Sequence, residues 1–193
     1  MARSYSPLIA LVRSGEVDLA FCSAPPADDA SLEFKELFGY NTVLLTTPGH
    51  ELLHGQPVKL EDIASFPLIL TAPDSQLRQR VEQAFKNHGL TPDAVLALDD
   101  TESMQRYVEI GTGIAVGSDF TLHSEDHNRF GVVRLDHLFH GSVIGVCTLK
   151  GKFVGQAVRN FIDMMSDQIK GFHADLWSWE EEHPDEVAPA KNE

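Results

Sequence analysis

Basic side chains are scarce in this sequence. Fifteen Lys and Arg residues stand against 29 Asp and Glu residues, which gives a formal net charge of -14. A surface that grips nucleic acid needs clustered Lys and Arg to neutralise phosphates. The deficit argues against a DNA- or RNA-binding surface in this chain, and we expect any contact with DNA to be made by a different segment of polypeptide.

Long apolar runs are also missing. No stretch approaches the roughly 18 residues of a membrane span, and residues 1–5 lack the apolar run of a signal peptide. We therefore expect a chain that makes no membrane contact and stays in the cytoplasm. Its 193 residues, 42% of them hydrophobic, are enough for one ordinary domain or two small lobes.

Cysteine is limited to two residues, Cys22 and Cys147. Both lie in runs that read as strands, at residues 18–22 and 143–147. Burial as small apolar side chains is the favoured interpretation, ahead of a disulfide or a reactive pair.

Nine histidines raise the question of a metal site. His123 and His127, and His137 and His140, have ligand-like spacings, but a polar loop separates the first pair, so we interpret them as scattered surface histidines. No pattern places a nucleophile beside a base. The sequence therefore predicts no catalytic residue, no metal and no cofactor, and we expect a protein that is not an enzyme.

Hydrophobic periodicity predicts both helices and strands. A helical stripe at residues 8–12 is stopped by Gly15 and followed by a strand at 17–22; a long β-like stretch then covers residues 32–47. Two β-α units follow, with strands at 66–70 and 94–98 and helices bearing Leu77 and Met104. Strands that alternate with helices of this length predict a parallel sheet wrapped by helices.

The last third adds strands at residues 131–135 and 142–149 and a final helix with apolar side chains on one face. Gly111-Thr112-Gly113 lacks the spacing of a phosphate-binding loop and follows a helix, so we interpret it as a helix C-terminus and a turn into a strand at 114–116.

Four segments carry a family resemblance through their order along the chain. They are residues 12–21 (VRSGEVDLAF), 44–53 (LLTTPGHELL), 60–69 (LEDIASFPLI) and 107–116 (YVEIGTGIAV). Together they resemble the co-inducer-binding domain of LysR-type transcriptional regulators, over roughly residues 6–169. Residues 85–92 and 134–139 further resemble the subgroup that controls cysteine biosynthesis and sulfur uptake.

The resemblance implies an α/β fold of two lobes, similar to the periplasmic type 2 binding proteins. We expect a partial first lobe at 1–47, a second lobe at 48–150, a C-terminal helix returning to the first lobe at 151–170, and an acidic tail at 171–193. The tail contains Trp177 and Trp179. The family's domain begins with a strand, a helix and a second strand that have no counterpart here. The first lobe is therefore expected to be truncated at its N-terminus, and the winged helix-turn-helix to be absent.

In open α/β sheets a ligand lies beyond the carboxyl ends of the strands, where helix N-termini present free N–H groups. Residues 70–76 and 98–103 are two such ends. Asp74 or Ser75, and Asp100 or Thr101, are first of all expected to be helix N-caps. Capping and ligand contact are compatible, because a cap leaves other first-turn donors available.

The resemblance implies that the effector-binding residues are Thr71, Ser75, Asp99 and Thr101. Asp99 stands where the sulfur subgroup tends to carry a hydroxyl residue. A carboxylate at this position disfavours an anion such as sulfate, since two negative charges in a cleft repel.

The function implied is that of a binding module. A small-molecule effector settles between the lobes and biases their closure, and in a complete regulator, a homo-oligomer in this family, that shift alters how a dimer or tetramer sits on DNA. Two other interpretations stay open at this point. One is a periplasmic-type solute-binding protein or an enzyme on the same fold; the other is a non-functional gene fragment.

Overall fold

A computed structural model describes residues 7–24, 29–55, 57–98, 100–123, 126 and 128–167. Its strands, in chain order, are β1 (Leu19–Ser23), β2 (Leu32–Tyr40), β3 (Thr42–Thr46), β4 (Leu68–Thr71), β5 (Ala94–Leu98), β6 (Ile114–Ser118), β7 (Gly131–Arg134) and β8 (Ser142–Leu149). Its helices are α1 (Pro7–Ser14), α2 (Leu60–Ile63), α3 (Gln76–Asn87), α4 (Thr101–Glu109) and α5 (residues 156–167). Short 3-10 helices cover Glu51–Leu53 and Asp119–Thr121. Among the described residues, no helix has both the length and the apolar character needed to span a bilayer.

The chain forms two compact units, each with its own sheet. The five-stranded unit runs from Asn41 to Gly141, and the three-stranded unit contains the described residues up to Tyr40 and from Ser142 onward. These bounds differ from the sequence-based lobes at 1–47 and 48–150. The apolar stretch at 32–47 is divided at Asn41 between the two sheets, and β8 pairs with β1 and β2. Residues 32–47 predict one β-like stretch, and Gly39 and Asn41 within it are not by themselves signals of a change of sheet.

The five-stranded unit has the strand order β5-β4-β6-β3-β7. Strand β4 is parallel to both of its neighbours, β5 and β6, which confirms the parallel arrangement predicted for the strands of the β-α units. Strand β3 is antiparallel to β6 and β7. Periodicity could not predict this direction, because side chains alternate in the same way in both kinds of strand.

Helices cover both faces of this sheet. Along β4, Leu68 and Leu70 pack on the side of α3 with Phe85, whereas Ile69 packs on the side of α4 with Met104. A strand covered on both faces has apolar side chains at successive positions, as β4 does. The unit therefore has two continuous cores, one on each side of its sheet.

The three-stranded unit has the order β1-β8-β2, and both pairs are antiparallel. One face packs against α1 and forms a cluster of Ile9, Val12, Ala20, Leu32 and Cys147. The other face carries Phe21, whose ring meets the ring of Phe161 of α5 edge-on, with centroids 5.9 Å apart. Gly15 ends α1 with φ of 77°, as its position after the helical stripe predicts.

The predicted burial is confirmed for Cys147 and is partial for Cys22. Cys147 is fully buried, Cys22 is half-buried beside it, and both thiols are free. Burial, with the neighbouring Cys147 thiol, raises the pKa of Cys22 to about 12. Burial also raises the pKa of Cys147. Both groups are neutral thiols at neutral pH and act as small apolar side chains.

The acidic tail expected at 171–193, with Trp177 and Trp179, lies outside the described residues.

Candidate functional site

Two β-α units present their helix N-termini at one edge of the five-stranded sheet. Thr71 at the end of β4 is the register partner of Leu98 at the end of β5, and the two strands are parallel. The loops that follow lead into α3 and α4. The carboxyl ends of adjacent parallel strands thus place both helix N-termini at the same edge, as the sequence predicted.

The loop after β4 is organised by a pair of hydroxyl groups. Ser75 is the N-cap of α3, and its Oγ accepts a hydrogen bond from the N–H of Arg78 at 3.0 Å. The Oγ1 of Thr71 lies 2.5 Å from the same Ser75 Oγ. Of the two candidate caps in this loop, the structure therefore selects Ser75 over Asp74.

This pair keeps one hydroxyl proton available. A hydroxyl group has one hydrogen to donate, and the bond between Thr71 and Ser75 uses only one of the two. Whichever residue donates, the other hydroxyl can still donate to an acceptor on a ligand. The predicted residues Thr71 and Ser75 are thus brought together as a single hydrogen-bonding element.

The loop after β5 ends in a carboxylate cap. Asp100 is the N-cap of α4, and its Oδ1 accepts from the N–H of Ser103 at 2.7 Å. Hydrogen bonds from Ser103 hold the pKa of Asp100 below its ordinary value. Thr101, predicted as a binding residue, is the first residue of α4 and is half-buried. Asp99, also predicted, lies outside the described residues.

This edge of the sheet combines hydrogen-bond donors with a negatively charged carboxylate. The first turn of each helix carries N–H groups that intrahelical bonds cannot reach, and the helix dipoles place partial positive charge there. The ionised Asp100 offsets that charge at α4, whereas α3 is capped by a neutral hydroxyl group. The arrangement is suited to holding polar groups of a small molecule by hydrogen bonds.

Sequence reasoning missed a buried clamp at the carboxyl end of β6. The carboxylate of Asp119, only 7% exposed, accepts from the backbone N–H of Asn41 at 2.9 Å and from its Nδ2 at 3.0 Å. Next to Asn41, Thr42 is the register partner of Ser118. Its hydroxyl is buried and has no hydrogen-bond partner among the described residues. The only available signal was a polar residue directly after a buried strand, and nothing linked it to a segment 78 positions earlier.

The other sequence motifs have structural roles. Gly111 has φ of 77° and its N–H donates to the carbonyl of Val108 at 2.9 Å, which confirms the predicted turn at the end of α4. His137 Nε2 lies 2.7 Å from the carbonyl oxygen of Val58. Within the described ranges, no group of three or more His, Cys, Asp or Glu side chains is placed to hold a metal ion; His127 lies outside those ranges.

Two α/β units, one of which gathers helix N-termini at the carboxyl edge of a parallel sheet, define the class of two-lobed type 2 periplasmic-binding-protein-like domains. A family model described as the LysR substrate binding domain matches residues 3–170, and the chain belongs to that family. The predicted membership is thereby confirmed.

Among relatives in sequence, the chain is 28% identical over 159 residues to the HTH-type transcriptional regulator CysB of Burkholderia cenocepacia, covering 82% of this chain and 51% of the relative. It is also 28% identical over 179 residues to the regulator Cbl of Klebsiella aerogenes, covering 93% and 56%. The chain thus spans about half the length of the curated relatives that it matches. SsuR of Burkholderia cenocepacia is a further relative, and the predicted similarity to the cysteine- and sulfur-regulating subgroup is confirmed.

Solved structures agree with the fold. The cofactor-binding domain of the Cbl transcriptional regulator superposes with a TM-score of 0.72 at 26% identity, covering 81% of this chain and 68% of that domain. The effector-binding domain of QuiR in complex with shikimate gives a TM-score of 0.70 at 22% identity, covering 84% and 77%. The second likeness shows the fold alone.

Proposed function

We propose that this chain is the effector-sensing module of a LysR-type transcriptional regulator, with its ligand held at the carboxyl edge of the five-stranded sheet. The observation that carries the proposal is the convergence of Ser75-capped α3 and Asp100-capped α4 on adjacent parallel strands, with Thr71 hydrogen-bonded to Ser75. Family membership supports a binding role, and the relatives compared above are transcriptional regulators. Thr71, Ser75, Asp99 and Thr101 are the proposed contacts.

The effector class follows from the charge of the second loop. Asp99 and Asp100 are consecutive acidic residues there, and the low pKa of Asp100 keeps that group ionised at neutral pH. A doubly charged anion such as sulfate would be repelled at this position. We therefore propose that the effector presents a neutral or cationic group to this loop and an acceptor to the hydroxyl pair.

Replacing Asp99 tests both statements with sulfate as the probe. Asp99→Ser removes the repulsion and adds a donor, so sulfate should shift the amide NMR signals of residues 76–78 and 101–103 in this variant but not in the native chain. Asp93→Ser, which replaces an exposed acid just before β5, is the matched control and should behave like the native chain.

Adding both Thr71→Val and Ser75→Ala to Asp99→Ser should abolish the response to sulfate, because Ser75→Ala alone would leave the Thr71 hydroxyl free to donate. If sulfate perturbs the native chain and the Asp99→Ser variant alike, the charge argument is wrong. If the response survives the removal of both hydroxyl groups, or if Asp99→Ser produces none, the assigned contacts are wrong.

We make one further proposal, which concerns DNA binding and cellular location. With a net charge of -14, we propose that these 193 residues make no specific DNA contact and that a segment outside this sequence does so in the cytoplasm. A sequence-dependent, salt-sensitive mobility shift with the purified chain would contradict this.

A further inference from the structure

The three-stranded unit contains a cavity of about 560 Å³ that is separate from the residues proposed above, all of which lie in the five-stranded unit. The cavity lies on the sheet face opposite α1. Lys35 and its register partner Val146 face this side, because the next residue of β8, Cys147, points to the other side, into the cluster under α1. The lining comes from β2, β8 and the region of α5, and it includes Glu33, Lys35, Val146, Arg159, Ile162 and Asp163.

The walls of this cavity carry two pairs of opposite charges. Strand β2 contributes Glu33 and Lys35, two residues apart on the same face of the strand. Helix α5 contributes Arg159 and Asp163, which are one turn apart. Each wall thus offers one cation and one anion.

These four side chains do not form ion pairs with one another. All four residues are exposed to solvent. Among the described residues, the side chains of Glu33, Lys35 and Asp163 make no hydrogen bond or ion pair, and Arg159 donates through Nε to the carbonyl of Val154 at 3.1 Å. The same four-residue spacing in α3 does produce an ion pair, between Arg78 and Glu82 at 2.6 Å. The cavity therefore leaves both signs of charge available to a ligand.

The floor is apolar. Val146 is buried, Ile162 is half-buried, and Val154 joins them in the lining. The volume lies within the range of roughly 300 to 1,000 Å³ that is typical of small-molecule sites. A ligand that matches these features has an apolar body and carries both a positive and a negative group.

We propose that this cavity is a second ligand site and that it binds a zwitterion, an α-amino acid with an apolar side chain. Its carboxylate is held by Lys35 and Arg159, its ammonium group by Glu33 and Asp163, and its side chain rests on Val146 and Ile162. A simple anion would meet two carboxylates, and a simple cation would meet two basic groups, so neither gains what the zwitterion gains. The ligand bridges β2 and α5 and stabilises the three-stranded unit on binding.

Calorimetric titration of the purified chain tests the pairing of charges. L-leucine and L-methionine are the probes; 4-methylpentanoate lacks the ammonium group of leucine, and 3-methylbutylamine lacks its carboxylate. We expect leucine to bind and each half-ligand to bind at least about tenfold more weakly, since each loses charge-assisted hydrogen bonds. Equal binding of a half-ligand, or no binding of either amino acid at roughly 10 mM, would overturn the proposal.

Variants locate the site. Arg159→Gln and Glu33→Gln should each weaken leucine binding about tenfold, with circular dichroism confirming that the fold is kept. Glu36→Gln, on the same strand but outside the cavity lining, is the matched control and should bind leucine like the native chain. Ser75→Ala should also leave leucine binding unchanged, so failure at one site is distinguishable from failure at the other. Leucine binding that survives both cavity variants, or is lost in either control, contradicts the assignment.

Discussion

The two units of this chain differ in how completely the faces of their sheets are buried. In the five-stranded unit, both faces of the sheet have a buried core, under α3 on one side and under α4 on the other. Among the described residues of the three-stranded unit, only the face under α1 has a buried cluster. No described residue of α5, on the opposite face, is buried, and Phe161 and Met164 are 44% and 53% exposed.

The contrast shows how function and stability are divided within the fold. The five-stranded unit holds the proposed effector contacts on helices whose positions are fixed by buried side chains, as a precise binding edge requires. The three-stranded unit has less apolar surface buried on its α5 side, so its helix is held by fewer packing interactions. Ligand binding can therefore alter the conformation of the three-stranded unit more easily than that of the five-stranded unit.

The largest expected effect comes from removing one phenylalanine ring from each unit. Phe85→Ala opens a cavity in the fully buried core under α3, and we expect a loss of about 3 to 5 kcal/mol in the free energy of unfolding. Phe161→Ala removes a ring that is 44% exposed, and we expect about 1 kcal/mol. Urea unfolding followed by circular dichroism measures both, and similar losses for the two variants would show that the contrast between the units is false.

Hydrogen exchange should show the same difference in stability between the two units without mutation. Amides of β4 and β6, at the centre of the five-stranded sheet, should be protected nearly to the level of global unfolding. Amides of β1 and α5 should exchange through smaller openings, because they are supported by less buried apolar surface. Mass spectrometry of exchanged peptides measures both regions, and equal protection would mean that an additional contact, such as a second copy of the chain, supports the three-stranded unit.

The cap of α3 should have a moderate effect. Ser75→Ala removes the acceptor for the Arg78 N–H and the partner of Thr71, and we expect a loss of about 1 kcal/mol in the free energy of unfolding. Ser65→Ala is the control, because it removes only an exposed hydroxyl that donates to the carbonyl of Glu61. A loss no larger in Ser75→Ala than in Ser65→Ala would show that the hydroxyl pair does not organise the loop.

Much of this fold could be predicted from the sequence because its signals are local. Strand β5 at 94–98 and strand β8 at 142–149 have the predicted bounds, since each is an apolar run ended by polar or turn residues. The hydroxyl pair of Thr71 and Ser75 was also accessible, because its members are four residues apart and flank a recognisable helix start.

The features that sequence reasoning missed depend on contacts between distant segments. The division of the chain at Asn41 became visible only through the pairing of Tyr40 with Ser142 and of Thr42 with Ser118. The clamp between Asn41 and Asp119 joins segments with no shared local pattern. The choice of Ser75 over Asp74 as the cap of α3 depends on the loop conformation, since both residue types cap helices equally well.

The smallest expected effect is a pH dependence at the other helix of the proposed site. The pKa of Asp100 is lowered in the folded chain from its ordinary value of 3.8, chiefly by the hydrogen bond from the Ser103 N–H. A depressed pKa means that the folded state favours the ionised group, so the carboxylate stabilises the fold above pH 3.8 and this contribution is lost as the pH falls through the folded-state value.

Asp100→Asn keeps a capping oxygen but does not titrate. The native chain should therefore be the more stable of the two near pH 6, and its advantage should shrink below about pH 4. Unfolding free energies of both proteins between roughly pH 6 and pH 2.5 measure the difference, in which the other acidic groups cancel. An advantage that stays constant over this range would show that the Asp100 carboxylate does not cap α4.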